Sequence, residues 1–399
     1  MKYLKFLGLS IVFSIGLLPS CFNENEYIKN YFFERYQPTP VEYVNYYDLA
    51  NEHHIADVPW FCYKRNICQS VSLQMIAAKY GINHPVDYYS FLLGYTYGAT
   101  YVKGAGMFMP YSDPEPGFII AAQHLGLRRE YLFTDDKTEL LNSMRYFLSK
   151  GHPVRIAWNS APAMKFAIES GYFPKPKNWK EPSEKAFSPH SVVFVGYDST
   201  SFYYYESQGK DFELHEEKGV RIDEKTMTDA ILSFSTTYKL PWKYMLMVFK
   251  MDSIIDRSQE VWENIGNEVV GRKYGRTSTG SIAIKGLSYG LDYEGTNITK
   301  QPKKGMFKKT LQSLVDIRLS NVEFLEKSYP NESIINQATI HFRNAIDNYQ
   351  SAFSLLENET LTKQEIVKIC NLLNKASDNE HNAGKIILDV SKKQVKIIR

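Results

Sequence analysis

The sequence predicts an α+β domain followed by an all-α helical bundle, and three observations carry this prediction. A strongly apolar helical pattern occupies residues 67–81. Short β-rich segments at 191–195, 202–206 and 244–250 come later, separated by turn residues as in an antiparallel sheet. Beyond residue 310 the patterns are only those of amphipathic helices. A helix placed before a group of strands is typical of α+β domains, and consecutive one-sided helices are typical of bundles.

The first helix begins at Cys68 and ends at Gly81. Apolar residues recur at helical spacing on one face and fill much of a second: Leu73, Ile76, Ala77 and Tyr80, then Val71, Met75 and Ala78. A helix that is apolar on most sides is normally buried inside a domain. Glycine directly after a helix is a common terminator. The pattern therefore predicts a buried helix with a cysteine at its N-terminus.

The position of Cys68 suits a nucleophile. The free N–H groups and the dipole at a helix N-terminus favour the thiolate. A thiolate is what a cysteine hydrolase or acyltransferase uses to attack a carbonyl carbon. A single cysteine in such a helix is nevertheless more often a small buried structural residue. The catalytic interpretation therefore depends on a base elsewhere in the chain.

A second stretch supplies a candidate base. His190 opens the apolar strand 191–195, a turn follows at 196–200, and the strand 202–206 returns. A hairpin of this kind brings Glu206 alongside His190. A histidine oriented by a carboxylate is the base half of a catalytic triad. The sequence thus predicts Cys68, His190 and Glu206 as catalytic residues.

Together the two stretches resemble the papain-like cysteine peptidases of the bacteriocin-processing, double-glycine-leader type and their secreted relatives. That family has a cysteine at the head of a helix ending in Met-x-x-x-x-Tyr-Gly, and a histidine-led strand ending in Gly-Tyr-Asp. The matching residues besides the triad are Met75, Tyr80, Gly81, Gly196, Tyr197 and Asp198. The resemblance covers residues 58–250. It implies a papain-like domain, with the central nucleophile helix packed on an antiparallel sheet, that needs no cofactor or metal.

Two departures from the family pattern concern the oxyanion. Gln69 stands directly after the nucleophile, where the family usually has glycine. Cys62 stands about six residues earlier, where the family has a glutamine that donates to the oxyanion, and a thiol is a poor donor. The remaining oxyanion or substrate-binding candidates are Gln69, Asn66 and Trp60. The alternative is a site that has lost catalysis and only binds.

Other elements follow from local patterns. Helices are expected at 84–94, 118–126 and 137–151, and strands at 128–133 and 153–158. The stretch 98–117 is rich in glycine, proline and aromatic residues, which predicts a long loop at the rim of a cleft. The proline- and lysine-rich stretch 161–189 predicts either a flap over the site, lined by Phe173 or Trp179, or a plain surface insertion. Past residue 252, helices are expected at 254–267, at 282–289 and in three long stretches after 310.

The N-terminus reads as an export signal. Lys2 and Lys5 precede an apolar run at 6–18, which is too short for a good membrane-spanning helix. Leu18-Pro19-Ser20-Cys21 resembles a bacterial lipobox, which implies cleavage before Cys21 and lipidation of its thiol. A plain secretory signal is the alternative. Either reading places the protein outside the cytoplasm, as a lipoprotein anchored to the membrane or as a secreted protein.

The chain therefore divides into four predicted parts. These are a signal peptide at 1–21, a tether and lead-in at 22–57, a papain-like domain at 58–251 and a helical domain at 252–399. The net charge of +3 is too small to indicate a nucleic-acid partner. Cys62, Cys68 and Cys370 remain after the signal, and a Cys62–Cys68 bridge would block the nucleophile. The sequence has no metal-ligand spacing.

Three functions are compatible with these features. The first is an extracytoplasmic thiol peptidase or amidase acting on a peptide or peptide-like amide. The second is an acyltransferase on the same fold, and the third is a catalytically inactive binding lipoprotein. The C-terminal helices carry no evident catalytic group and are candidates for binding a protein partner.

Overall fold

The computed structural model describes most of the chain from residue 24 onward. The described residues are 24–41, 49–103, 107–175, 177, 179–183, 186–207, 218–274, 276–294, 303–358 and 360–397. The predicted lipidation site Cys21 lies outside them. No helix in this part of the chain is both long and apolar enough to cross a membrane.

A mixed eight-stranded sheet forms the centre of the fold. Its strands are β1 (Thr39–Pro40), β2 (His53–His54), β5 (Leu127–Thr134), β6 (Val154–Asn159), β7 (Pro189–Tyr197), β8 (Ser201–Tyr205), β9 (Val220–Asp223) and β10 (Tyr244–Met251). The order across the sheet is β1-β5-β10-β6-β7-β8-β9, with β2 added beside β7. Among the described strands of this sheet, only β1 and β5 run parallel to each other. The middle strands β6, β7 and β10 are almost wholly buried, which explains why most of their residues are apolar.

Helices from the N-terminal two-thirds of the chain surround this sheet. They are α1 (Glu24–Tyr36), α2 (Cys68–Lys79), α3 (Val86–Leu93), α4 (Glu115–His124), α5 (Lys137–Ser149), α6 (Ser160–Glu169) and α7 (Glu224–Tyr238). Helix α2 packs on β7 and on α3, and it is buried from Ser70 to Ala77. Gly81 follows its cap with φ of 79°, the left-handed conformation expected of a terminating glycine. The predicted nucleophile helix and its end are therefore confirmed.

The C-terminal region is helical, as predicted. Its helices are α8 (Ser258–Val270), α9 (Gly280–Glu294), α10 (Lys303–Ser328), α11 (Ser333–Leu355) and α12 (Lys363–Lys392). Helix α12 contacts α8, α9 and α11, so the bundle has more members than the three helices expected. The α+β fold class with a helical C-terminal region is confirmed at this level.

A buried ion pair fastens the C-terminal helices to the rest of the fold. Arg318 on α10 donates to Glu380 on α12 at 2.7 and 3.0 Å, and both side chains are fully buried. The same guanidinium donates to the carbonyl oxygens of Thr96 and Gly98, which lie directly after α3. Tyr349 donates to the Glu380 carboxylate at 2.9 Å. The bundle is thus held against the chain segment that follows the nucleophile helix.

A second, four-stranded sheet was not predicted. The stretch 98–117, expected to be one long loop, contains β3 (Thr100–Val102) and β4 (Met107–Met109). These strands pair in the order β11-β12-β3-β4 with β11 (Lys273–Tyr274) and β12 (Thr277–Thr279). The pairing joins segments on both sides of the domain boundary expected near residue 252. The loop prediction was wrong because β12, the partner of β3, lies 175–179 residues away in the sequence, beyond the reach of local patterns.

The stretch 161–189 also differs from its prediction at its start. Helix α6 occupies its first third, where an irregular segment was expected. The side chain of Asn159 caps this helix by accepting from Ala161 N at 3.2 Å. Pro162 falls in the first turn, where proline is tolerated because that N–H needs no intrahelical partner. Phe173 is buried and Trp179 is half-buried.

We expect the buried ion pair to dominate the docking of the bundle. Replacing Glu380 with alanine leaves the Arg318 charge buried without its partner, which should lower the free energy of unfolding by about 3–5 kcal/mol. Urea denaturation measures this change. The matched control is Glu326→Ala, which removes a similarly bidentate but exposed pair with Arg343 and should cost less than about 1 kcal/mol. Equal losses in the two variants would contradict the proposed role of burial.

Candidate active site

Cys68 is the first residue of α2 and is half-exposed, whereas the helix behind it is buried. The preceding residue, Ile67, provides no side-chain cap. The N–H groups of a first helical turn have no acceptor within the helix. They remain available to stabilise negative charge on the sulfur or on an atom bound to it.

His190 and Glu206 meet at one end of the β7–β8 hairpin. His190 is the second residue of β7, and Glu206 comes directly after β8. The Nε2 atom of His190 contacts Oε1 of Glu206 in a short hydrogen bond, and both residues are buried. The same oxygen accepts from the backbone N–H of Ser207 at 2.8 Å. The carboxylate is therefore fixed from two sides and points at the imidazole.

The Cys68 sulfur also lies close enough to the imidazole to act on its pKa. Because Nε2 is engaged by Glu206, the nitrogen left for the thiol is Nδ1. Burial alone would lower the pKa of His190, but the nearby Glu206 carboxylate and the Cys68 sulfur outweigh it and raise that pKa well above its ordinary value. Glu206 and Cys68, the two other side chains predicted from the sequence, thus both favour the imidazolium form of His190.

The chain before the nucleophile clamps the end of β8. The Trp60 ring stacks on Tyr205 with centroids 4.5 Å apart, and its indole N–H donates to the carbonyl oxygen of Glu206 at 2.7 Å. The backbone N–H of Tyr63 donates to the Ser207 carbonyl at 3.3 Å. Trp60 therefore supports Glu206. Its N–H is already used, so Trp60 does not serve as the oxyanion donor that the sequence made it a candidate for.

Cys62 lies between these two contacts and carries a protonated thiol. Burial, together with the negative charge of Glu206, raises its pKa to about 12. Cys62 and Cys68 are both free thiols, so the bridge between them does not form. A neutral half-buried thiol is a weak donor, which leaves the position of the family's glutamine without a strong one.

Arg155 is the residue that the sequence reasoning missed. It lies on β6 and is 1% exposed, yet its three donor nitrogens reach Gln69, Ser191 and Glu115. The available signal was a charged residue inside an otherwise apolar strand, because arginine is almost never fully buried unless it is paired. This guanidinium contacts the neighbours in sequence of both Cys68 and His190.

The other oxyanion candidates differ in their surroundings. Gln69 is half-buried and accepts from Arg155 through its Oε1 atom. Asn66 is exposed on the segment leading into α2. Three tyrosines, Tyr95, Tyr111 and Tyr238, lie within electrostatic range of the Cys68 sulfur. Burial first, and Cys68 in addition, raises the pKa of Tyr95 and Tyr111, so both hydroxyls are neutral.

The supporting residues of the family pattern act in the scaffold. Tyr80, at the end of the nucleophile helix, donates to the Phe249 carbonyl at 2.7 Å and so ties α2 to β10. A side chain at Gly196 would come within 2.8 Å of the His53 carbonyl, so β2 can pair there only with glycine. Asp198 accepts from Tyr203 at 2.9 Å and closes the hairpin.

Comparison with protein-family models and with curated proteins gave no match to this chain. In the part of the chain that the structure describes, no three histidine, cysteine, aspartate or glutamate side chains are grouped so that they could hold a metal ion.

We predict that Glu206 keeps His190 protonated. In Glu206→Gln the side chain keeps its shape but loses its charge, so burial should bring the pKa of His190 down, below its value in the wild type. NMR titration of the imidazole measures this shift.

Asp198→Asn is the matched control, since Asp198 lies in the same hairpin but bonds to Tyr203 and Arg221. It should leave the His190 titration unchanged. A Glu206→Gln protein whose His190 titrates as in the wild type would contradict the assignment.

Proposed function

We propose that the protein is a cysteine hydrolase that cleaves a peptide or peptide-like amide with Cys68, His190 and Glu206. The observation that carries the proposal is that one buried imidazole is bonded to the Glu206 carboxylate and lies close enough to the Cys68 sulfur for both groups to raise its pKa. A nucleophile within hydrogen-bonding reach of a base, and a base oriented by a third group, define this type of site.

The first half of the reaction forms a thioester. The Cys68 thiolate attacks the substrate carbonyl carbon, and the carbonyl π electrons move onto oxygen to give a tetrahedral oxyanion. When the oxyanion collapses, the C–N bond breaks, and the leaving amine takes the proton from Nδ1 of the His190 imidazolium. Glu206 holds the ring in place through Nε2 during this transfer.

The second half restores the enzyme. A water molecule loses a proton to Nδ1 of His190 as its oxygen attacks the thioester carbonyl carbon. The new oxyanion collapses and expels the Cys68 thiolate, which pairs again with the imidazolium. The sum is one amide and one water converted into a carboxylic acid and an amine, so no cofactor is required.

The arrangement of helix and sheet supports a papain-like assignment. The nucleophile begins a buried helix that packs on the strand bearing the base, and Ser72 of α2 contacts Ser191 of β7 at 3.0 Å. The proposal includes location outside the cytoplasm, with a lipid on Cys21 as the anchor, on the strength of the N-terminal sequence alone.

We predict that hydrolysis requires the Cys68 thiol and does not require the Cys62 thiol. Cys68→Ser and His190→Ala should each lower the rate of hydrolysis of p-nitrophenyl acetate and of a mixed peptide pool by about 10³-fold or more, because the triad acts as a unit. Cys62→Ser should stay within about twofold, since its thiol is protonated and takes no part in the reaction. Product release followed by absorbance and mass spectrometry measures these rates.

Cys62→Ser also tests the alternative nucleophile. If Cys62→Ser lost as much activity as Cys68→Ser, the assignment of the nucleophile would be wrong. Activity that survived both Cys68→Ser and His190→Ala would show that hydrolysis takes place elsewhere.

A further inference from the structure

Arg155 bridges the segment that carries Cys68 and the strand that carries His190. Its Nε atom donates to Ser191 Oγ at 3.0 Å, its Nη1 atom to Glu115 at 2.5 Å, and its Nη2 atom to Oε1 of Gln69. Its guanidinium carbon lies 4.6 Å from the centre of the Phe118 ring. A planar fork with three fixed acceptors and a ring against its face has little freedom to rotate.

The contact with Arg155 decides which way the Gln69 carboxamide points. An arginine side chain has only donors, so it accepts the oxygen end of the amide and repels the NH₂ end. The oxygen is therefore held toward the buried guanidinium, and the Nε2 amide group points to the other side of the carboxamide plane. A glutamine without such a partner would be free to present either end.

The NH₂ end of Gln69 is the part that remains free to act. In the described part of the chain, no group accepts a hydrogen bond from Nε2, and this atom is not among the buried polar atoms that lack a partner. The side chain is half-buried, so its oxygen lies on the buried side and its nitrogen faces accessible space. Gln69 is also the residue directly after the nucleophile in the first turn of α2.

We propose that Arg155 is a positioning residue that holds Gln69 by its oxygen, so that the Gln69 Nε2 amide donates to the oxyanion formed on Cys68. This inference rests on the proposed hydrolase function. Oxyanion formation needs donors aimed at the developing charge, and the Cys62 thiol is a poor one. Gln69, which follows Cys68 in the sequence, then supplies the side-chain donor that Cys62, which precedes Cys68, does not.

The substitution Gln69→Glu separates the two roles of this side chain. Glutamate keeps an oxygen that accepts from Arg155, but its carboxylate has no N–H to donate. Two probes report on Cys68: iodoacetamide, which alkylates the thiolate without forming an oxyanion, and p-nitrophenyl acetate, which acylates it through an oxyanion. Both rates are measured across pH, so that the plateau rate is separated from the fraction of thiolate.

The expected result is a selective loss. In Gln69→Glu the plateau rate of acylation should fall by about 10²–10³-fold, the usual effect of removing one oxyanion donor, while the plateau rate of alkylation stays within about twofold. The matched control is Gln123→Glu, because Gln123 likewise accepts from an arginine, Arg257, at 2.8 Å but lies at the far end of α4. It should leave both rates unchanged.

Two results would overturn the proposal. Acylation by Gln69→Glu at the wild-type rate would show that Gln69 serves only as an acceptor for Arg155. Parallel loss of alkylation and acylation would show that the contact organises the thiolate instead of the oxyanion. Failure of the hydrolase function looks different, because wild-type acylation would then be no faster than that of His190→Ala.

Arg155→Lys tests the positioning role in a second way. Lysine keeps the charge opposite Glu115 but cannot hold three acceptors in one plane, so the Gln69 amide regains its freedom to turn. Acylation should fall at least about tenfold while alkylation is retained. If Arg155 acts through Gln69, adding Arg155→Lys to Gln69→Glu should cause little further loss. Losses that multiply in the double variant would show that Arg155 acts independently of Gln69.

Discussion

The contact of one buried imidazole with a sulfur on one side and a carboxylate on the other is the interaction on which the site depends. His190 is removed from water, which opposes its charged form, yet Glu206 and Cys68 together raise its pKa well above the ordinary value. A buried cation is stable only when its partners are held in place. The packing of α2 on β7 and the clamp of Trp60 on the end of β8 both serve this requirement.

Two buried arginines, Arg155 and Arg318, also depend on partners that are held in place. Arg155 is buried in the middle of an apolar sheet, and it is tolerated because Glu115, Gln69 and Ser191 satisfy its donors. Arg318 is buried likewise and paired with Glu380 between the C-terminal helices. Arg155 connects the segment that carries Cys68 with the strand that carries His190. Arg318 holds the helical region against residues 96–98. Both sites combine a buried arginine with a glutamate and with neutral acceptors.

Local sequence patterns were sufficient for some parts of this molecule and insufficient for others. The helix behind Cys68 and the hairpin carrying His190 were predictable, because helical spacing, a terminating glycine and turn residues are all local signals. The second sheet was not predictable, since β3 and β12 pair across 175–179 residues of sequence. Helix α6 was hidden by the prolines around it. The role of Arg155 depends on contacts with three residues that are distant in the sequence. The only local signal was an arginine in an otherwise apolar strand.

The effect of the Cys68 sulfur on the titration of His190 tests this interaction most directly. NMR titration of the imidazole is compared between the wild type and Cys68→Ser. The pKa of His190 should lie well above its ordinary value in the wild type and should be lower in Cys68→Ser, because the sulfur is one of the groups that raise it. A His190 imidazole that titrates identically in the two proteins would contradict a direct interaction between sulfur and imidazole.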